Sequence, residues 1–480
     1  MIKDMERTQK RTQKEPSLLC FLEGLCPGRV YAGDAIHEDY THDEMPEYGV
    51  HAPDAVVEVL STEEVSAIVK YANERNIPIV PRGTGTGLCG GCVAIYGGIM
   101  ISTVRMNRIL EIDEDNLCAR VEAGVVLLDF IEETEKLGLL YCPDPGEKSA
   151  TIGGNVMTNA GGLRAVKYGV TKDYVLGMTC VLADGSIIEI GGKVVKNCSG
   201  YNLLGLLTGS EGTLCVVTEV LVRLTPLPPC KMALLVPYDD VGKCIATVPE
   251  IIKAKIIPTA IEFAQRQVVL LAEEYLGTTF PHKSAAAYLI FSFDGNTQSE
   301  LDAIYARVAD ICLANGAIDA FISDTEERLD SIWKPRGEFL EAIKASTDEM
   351  DECDVVVPRS RMADFIYFIE DLKEKQDIRL VSFGHAGDGN LHVYVCRDGM
   401  DKDRYEKKLK ICMDAMYKKA DELGGEVSGE HGIGHAKAGY LSEYLSPEEA
   451  GVMEAIKAAL DPKGILNPGK VIRRRCGFDK

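Results

Sequence analysis

Three glycine clusters constrain this chain more than any other feature. "RGTGTGLCGG" from Arg82, "TIGGNVMTNAGG" from Thr151 and "TGSEGTL" from Thr208 each stand at the mouth of a predicted strand or helix. Glycine lacks a Cβ, so its backbone N–H approaches an anion closely and takes positive φ, and such loops can wrap a pyrophosphate. Any one cluster alone is equally an ordinary tight turn. Two familiar phosphate sites are excluded. The chain has no G-x-x-x-x-G-K-[ST], and no G-x-G-x-x-G opens a helix with an acidic residue about 20 positions later.

The pattern between the loops predicts their supports. "STEEVSAIVKYANERN" has Ser61 and Glu64 at capping-box spacing, with Val65, Ile68, Val69 and Ala72 on one helical face. "IPIVP" and "CARVEAG" read as strands, "LLDFIEETEKLG" as a helix, and Asp184-Gly185 as a hairpin turn between two apolar strands. Pro226, Pro228 and Pro229 mark a boundary, beyond which strands and helices alternate to about residue 380. "YEKKLKICMDAMYKKADELGG" carries an apolar stripe (Leu409, Cys412, Met413, Met416, Ala420, Leu423) and ends at glycines, which predicts an amphipathic helix. At 480 residues more than one domain is expected.

A formal charge of -22 argues against nucleic acid as a partner and requires any anionic substrate to find a local cationic pocket. Apolar runs such as "MALLVPY" from Met232 fall far short of the roughly 20 residues of a membrane helix, so no span is expected. The amino terminus is polar, repeats "RTQK" and fits no secretory signal, so a cytoplasmic location and reduced thiols are expected for the sixteen cysteines. Cys89 and Cys92 form the only C-x-x-C, too few ligands for a four-thiolate cluster.

In the second half, "GHAGDGNLH" places His385 and His392 around Asp388-Gly389, a preferred two-residue hairpin loop. With that loop His385 faces His392, close enough for two imidazoles to bite one metal ion. "GGEVSGEHGIGH" offers Glu430, His431 and His435 as further ligands, and two histidines with a carboxylate suit zinc, iron or manganese. Ordinary hydrogen bonds from the hairpin histidines are the competing reading. Lys334, Arg336, Arg359 and Arg361 are the candidate cations for a substrate carboxylate, with Arg336 first.

The order and wording of these segments resemble the vanillyl-alcohol oxidase and p-cresol methylhydroxylase superfamily. "PDAVVEV", "IPIVPRGTGTGLCGG", "PDPGEKSATIGGNVMTNAGG" and "KNCSGYNLLGLLTGSEGTLCVVTEV" match its FAD-binding domain, while "GHAGDGNLH" and "SGEHGIG" match the substrate domain of its D-2-hydroxyacid dehydrogenase branch. The resemblance runs from about residue 50 to the carboxyl terminus. It implies an α+β fold: a two-part FAD-binding domain over 50–228, an α+β substrate domain over 229–425 and a C-terminal helical segment over 426–480 that returns to the flavin, while the many charges of residues 1–49 read as an arm.

By the same resemblance, Pro81, Arg82, Gly83, Thr84, Gly85, Thr86, Gly87, Gly90 and Gly91 line the FAD pyrophosphate, and Pro143 and Asp144 approach the flavin. Thr151, Gly153, Gly154, Asn159, Gly161, Gly162, Glu211, Gly212, Val217 and Asn467 complete the cleft, with Lys470 near it. Thr84 replaces a glycine common in the family, and Thr86 stands where covalent members carry histidine, so non-covalent FAD is expected. His385, His392 and Glu430 are implied as ligands of a divalent metal, His431 as catalytic base and Arg336 as carboxylate binder. Where the D-2-hydroxyglutarate branch has a lysine for a distal carboxylate, this chain has "MDECDVVVP".

The expected activity is oxidation of D-lactate, with glycolate or D-2-hydroxyglutarate as alternatives. Electrons would pass to an electron-transfer flavoprotein or another acceptor subunit. A metal-dependent hydrolase and a non-catalytic flavin subunit are the competing classes.

Overall fold

The structure, a computed structural model, describes residues 16–472 apart from positions 281 and 283, so the "RTQK" repeat lies outside the described residues. The fold has two compact units. Of the described residues, one gathers those up to Ala160, Val170–Pro226 and those from His431; the other is Gly161–Gly169 with Leu227–Glu430. Among the described residues no helix is long and apolar enough to cross a membrane, and every cysteine is a free thiol.

The first unit is built on two sheets. In one, Ala55–Glu58, Ile99–Ser102 and Ile79–Arg82 run parallel, with Val30–Tyr31 antiparallel at the edge. Parallel neighbours require a crossover, and helix Thr62–Arg75 supplies it between Ala55–Glu58 and Ile79–Arg82. The Ser61 hydroxyl accepts from Glu64 N at 3.3 Å, and the helix stops where Asn76 turns left-handed. Glu64 does not complete the box; its carboxylate takes Leu60 N at 2.8 Å and the Arg29 guanidinium at 2.5 and 2.8 Å. Val65, Ile68, Val69 and Ala72 are fully buried, as their spacing predicts.

That core also receives Leu18 and Leu22 from helix Pro16–Leu25 and Ile465 and Leu466 from the returning carboxyl-terminal segment. The other sheet is antiparallel, ordered Ile109–Asp113, Cys118–Glu122, Val216–Arg223, Val175–Val181, Ile187–Gly191. Its last two strands meet around Asp184-Gly185, where Gly185 has φ +86°.

The second unit is one antiparallel sheet of seven strands, ordered Phe321–Ser323, Cys230–Tyr238, Ala287–Gly295, Ala260–Gln265, Arg379–His385, Asn390–Cys396, Met350–Val356. Directly opposed residues share a face. One cross-strand row therefore runs Ile290, Glu262, His385, Asn390, Val356, and the next runs Tyr288, Ala264, Phe383, His392, Asp354. The same face holds an apolar core that takes in Leu235, Ile290, Phe339 and Tyr394. Polar side chains at one end of a buried face need partners, and they find them in each other.

Gly161–Gly169 groups with this unit, although the sequence reading runs 50–228 as one stretch. Its side chains explain the placement: Lys167 pairs with Asp294, the Tyr168 hydroxyl lies 3.0 Å from Asp294 Oδ1, and Val166 packs where a Cβ on Gly387 would stand.

Candidate metal centre and cofactor loops

"GHAGDGNLH" closes strand Arg379–His385 and opens strand Asn390–Cys396, but not through a two-residue loop. The loop is 386–389, so His385 opposes Asn390 and His392 opposes Phe383, which corrects the expected His385–His392 pairing. The loop backbone shows why. Gly387 N donates to Ile261 O at 3.1 Å and Gly389 O accepts from Val357 N at 3.0 Å, so both flanking strands claim groups of the loop. His385 O accepts from Asp388 N and Gly389 N, and Asp388 Oδ1 accepts from Asn390 N at 3.1 Å, which makes Asp388 a turn former. Gly389 has φ +97°, and a Cβ there would meet Val357 O at 2.1 Å. A register shift of two residues keeps every side chain on its face. The imidazoles therefore remain neighbours on a diagonal, with ring centroids 5.5 Å apart and planes at 88°.

Glu430 stands between them. Its Oε1 is 3.2 Å from His385 Nε2 and 3.3 Å from His392 Nε2, and ligand atoms of the three residues lie within 4.8 Å of one another. Each ring's Nδ1 is held by a buried carboxylate, His385 by Glu262 at 2.8 Å and His392 by Glu352 at 3.0 Å. Those contacts fix the proton on Nδ1 and aim both Nε2 atoms at Glu430, the arrangement by which carboxylates orient histidine ligands of a metal. The Tyr394 hydroxyl also donates to Glu352, at 3.0 Å. Arg336 donates through Nε at 2.8 Å and Nη2 at 2.5 Å to Glu262 Oε2, and its guanidinium lies 4.8 Å from the Phe383 ring centroid.

Electrostatics agree with a site that wants a cation. Burial alone would lower both imidazoles, but Glu262 and Glu430 carry His385 well above its usual range, and Glu352 and Glu430 carry His392 up to about 9. Burial alone would raise Glu430, yet the two imidazoles hold it well below the carboxylate range. The carboxylates attract positive charge strongly enough to keep protons where a metal ion would go. Donor types, convergence and backing together fit a divalent cation.

The three glycine clusters differ in how they use their amides. The backbone N–H groups of Gly83, Thr84, Gly85, Thr86, Gly87 and Leu88 donate to no acceptor among the described residues. A run of unspent amides in a largely half-buried loop is a ready anion cradle, and this is the observation by which the loop fits the FAD pyrophosphate. Pro81 and Arg82 lead into it, but the Arg82 guanidinium donates to Asp39 O at 2.6 Å, His42 O at 2.8 Å and Cys92 Sγ at 3.1 Å, tying residues 39–42 to the loop. Thr84 Oγ1 donates to Ser149 O at 3.0 Å. Gly90, with φ +69°, donates to Asp43 Oδ2 at 2.5 Å.

The other two clusters spend most of their amides on the fold, although Gly161, Gly162 and Gly212 donate to no acceptor among the described residues. Gly153 N donates to Ala123 O at 2.8 Å, Thr151 caps helix Ile152–Thr158 through Gly154 N at 3.2 Å, and Asn159 ends that helix left-handed. Gly209 N and Glu211 N donate to Val156 O and Met157 O. Gly212, with φ +70°, lies against Pro81, and Val217 is buried in strand Val216–Arg223. Pro143 and Asp144 are buried, and Asp144 pairs with Lys148. The Glu211 carboxylate, itself pushed up by burial, accepts from Ile433 N at 2.8 Å and Gly434 N at 2.7 Å.

Asn467 Nδ2 links Gly91 O at 2.8 Å to Glu211 O at 2.7 Å, and its buried Oδ1 meets no donor among the described residues. Lys470, pushed down to about 8 by burial, donates to Val93 O at 2.5 Å. His435 bridges Gly90 O at 3.0 Å and Tyr48 O at 2.8 Å, a structural clamp between segments.

Gly161 and Gly162 belong to the second unit, where a Cβ on Gly161 would meet Glu430 Oε2 at 2.7 Å. His431 follows Glu430 directly and opens the segment that belongs to the first unit. Of the four candidate cations only Arg336 is buried; Lys334, Arg359 and Arg361 are exposed. The sequence reading missed Glu262, Glu352 and Asp354. Glu262 is a lone charge in the apolar strand "AIEFA", and Glu352 and Asp354 alternate in "MDECDVV", which places both on one face.

Comparison with known proteins follows this geometry. Residues 53–191 match the family described as FAD binding domain, and 227–471 match FAD linked oxidases, C-terminal domain. The chain is 47% identical over 461 residues to a D-lactate dehydrogenase of Anaerostipes hadrus, covering 95% of this chain and 97% of the relative. It is 43% identical over 436 residues to glycolate oxidase subunit GlcD of Bacillus subtilis, covering 91% and 92%. A crystal structure of p-cresol methylhydroxylase with substrate bound shares the fold, with TM-score 0.77 at 20% identity over 98% of each chain. The chain belongs to the FAD-linked oxidases, as a flavoenzyme with an α+β fold whose FAD-binding domain is of the vanillyl-alcohol oxidase and p-cresol methylhydroxylase type.

Proposed function

We propose that this flavoenzyme oxidises a D-2-hydroxyacid, D-lactate first, to the 2-oxoacid. The observation that carries the reading is the convergence of His385 Nε2, His392 Nε2 and Glu430 Oε1, each imidazole backed by its own buried carboxylate. The names of the relatives, D-lactate dehydrogenase and glycolate oxidase subunit, give the substrate class. His385, His392 and Glu430 would hold a zinc, iron or manganese ion, which when bound acidifies a substrate hydroxyl. His431 takes that hydroxyl proton; a neutral imidazole with an ordinary pKa near 6.5 suits the task. FAD, held non-covalently where Thr86 offers no imidazole for a bond, would supply the two-electron sink for the C2 hydride. Hydroxyl proton and hydride together account for the two hydrogens lost by the substrate.

Arg336 binds the substrate carboxylate. Its two hydrogen bonds to Glu262 use Nε and Nη2, leaving Nη1 outside that fork. The strand Met350–Val356 carries no lysine for a second carboxylate, its charges being Asp351 and the buried acids Glu352 and Asp354, which favours lactate or glycolate over 2-hydroxyglutarate. A soluble acceptor such as an electron-transfer flavoprotein, in the cytoplasm, would take the two electrons onward. Anaerobic mixing with D- and L-lactate, glycolate and D-2-hydroxyglutarate tests the reading through bleaching of the flavin. D-lactate is expected to bleach it fastest, and bleaching by none of the four, or by L-lactate alone, would overturn it.

A further inference from the structure

The ligand set leaves open what holds Glu430 still. His385 and His392 lie on paired strands, whereas Glu430 lies in a glycine-rich segment after helix Lys402–Glu422 that belongs to no strand. A ligand on a loop is only as well placed as the loop. That segment is fastened to the edge strand Met350–Val356: Glu426 N donates to Val356 O at 2.9 Å, and a Cβ on Gly425 would meet Val356 O at 2.3 Å. Close to the ligand, Asp354 takes over. Its Oδ2 accepts from Ser428 Oγ at 2.7 Å, Gly429 N at 3.2 Å and Glu430 N at 3.2 Å, while its Oδ1 accepts from Asn390 Nδ2 at 2.8 Å. Asn390 packs so closely that a Cβ on Gly429 would sit 2.0 Å from its Nδ2.

We infer that Asp354 is a positioning residue that fixes Glu430 for metal binding by gripping the backbone of residues 429 and 430 and the side chains of Ser428 and Asn390. The inference rests on the metal reading of His385, His392 and Glu430. Asp354 is fully buried and opposes His392 across the strand pair, so one carboxylate registers the loop against the strand that carries a histidine ligand. Its acceptor role is specific. Asn390 Nδ2, Ser428 Oγ, Gly429 N and Glu430 N all donate to it, and an asparagine of the same shape would turn an N–H₂ toward donors on one side. Loss of an outer partner of this kind weakens metal binding by about 10- to 100-fold.

The test is titration of the FAD-loaded, metal-stripped protein with Mn²⁺, reading free Mn²⁺ by its electron paramagnetic resonance signal. Wild type is expected to bind one equivalent, Glu430→Gln to lose that site, and Asp354→Asn to keep the stoichiometry with affinity lowered about 10- to 100-fold. Ser428→Ala, a milder change at the same grip, is expected to lose severalfold while keeping its flavin and unfolding midpoint. Wild-type Mn²⁺ affinity in both Asp354→Asn and Ser428→Ala, with the site lost in Glu430→Gln, would overturn the positioning role and leave the metal reading standing. Unchanged affinity in Glu430→Gln, or no bound Mn²⁺ in wild type, would overturn the metal reading itself. If Asp354→Asn does not fold, Ser428→Ala alone decides.

Discussion

Replacing Glu262 with glutamine removes one charge and almost no volume, which makes it a sharp probe of the ion network. Glu262 is fully buried and joins Arg336 through Oε2 to His385 through Oε1. The amide can still accept from Arg336 with its oxygen, but its N–H₂ then meets His385 Nδ1, itself a donor. Breaking a buried pair by changing one partner costs about 3–5 kcal/mol, because the other charge stays buried. Solvent offers little relief here, since Arg336 is 8% exposed. With both bonds from Arg336 to that oxygen retained, a loss near the lower end, about 3 kcal/mol, is expected from urea unfolding of the metal-free protein. Metal affinity should fall about 10- to 100-fold, or roughly 1.4–2.7 kcal/mol at 1.36 kcal/mol per tenfold change. The exposed pair Lys375–Asp371 is the control, and Asp371→Asn should leave both quantities within error. A Glu262→Gln protein that matches this control in stability and in metal affinity would refute the reasoning.

Three further outcomes follow from other parts of the structure. His392 titrates at about 9 when folded, above its ordinary 6.5, so the metal-free fold gains stability from it below pH 6.5 and loses that gain as pH rises through about 9. The stability gap between wild type and His392→Gln, both metal-free, should therefore shrink from pH 6.5 to 9.5; a constant gap would contradict the carboxylate network. Gly90→Ala puts a Cβ at φ +69° and 2.1 Å from the His435 ring, so this variant should lose FAD on dialysis and melt earlier than wild type. Acid precipitation followed by filtration should leave all flavin absorbance in the supernatant, and colour retained in the pellet would show a covalent bond.

Local chemistry wrote some of this into the sequence and left some out. The helix over 62–75 was legible because its apolar spacing, serine cap and left-handed asparagine act within a few residues. The histidine hairpin was legible as two strands with two histidines on one face, but not in register. The Asp388-Gly389 signal is local, whereas the loop is decided by Ile261 on one neighbouring strand and Val357 just past the end of another. Glu262 was missed for a related reason. Its worth depends on His385 and Arg336, 123 and 74 residues away, and no periodicity links them. The glycine clusters read alike in sequence, yet among the described residues only the first leaves a run of six amides unspent; Gly153 is small to let helix Ile152–Thr158 touch Ala123.

The most direct test of the account is stopped-flow, anaerobic reduction of the bound flavin by D-lactate in three states of one preparation: as isolated, stripped by a chelator, and reloaded with a divalent metal. The account predicts that stripping slows reduction by orders of magnitude while FAD stays bound, that reloading restores it, and that Glu430→Gln cannot be restored. Full-rate reduction by D-lactate after complete metal removal would contradict the role assigned to His385, His392 and Glu430.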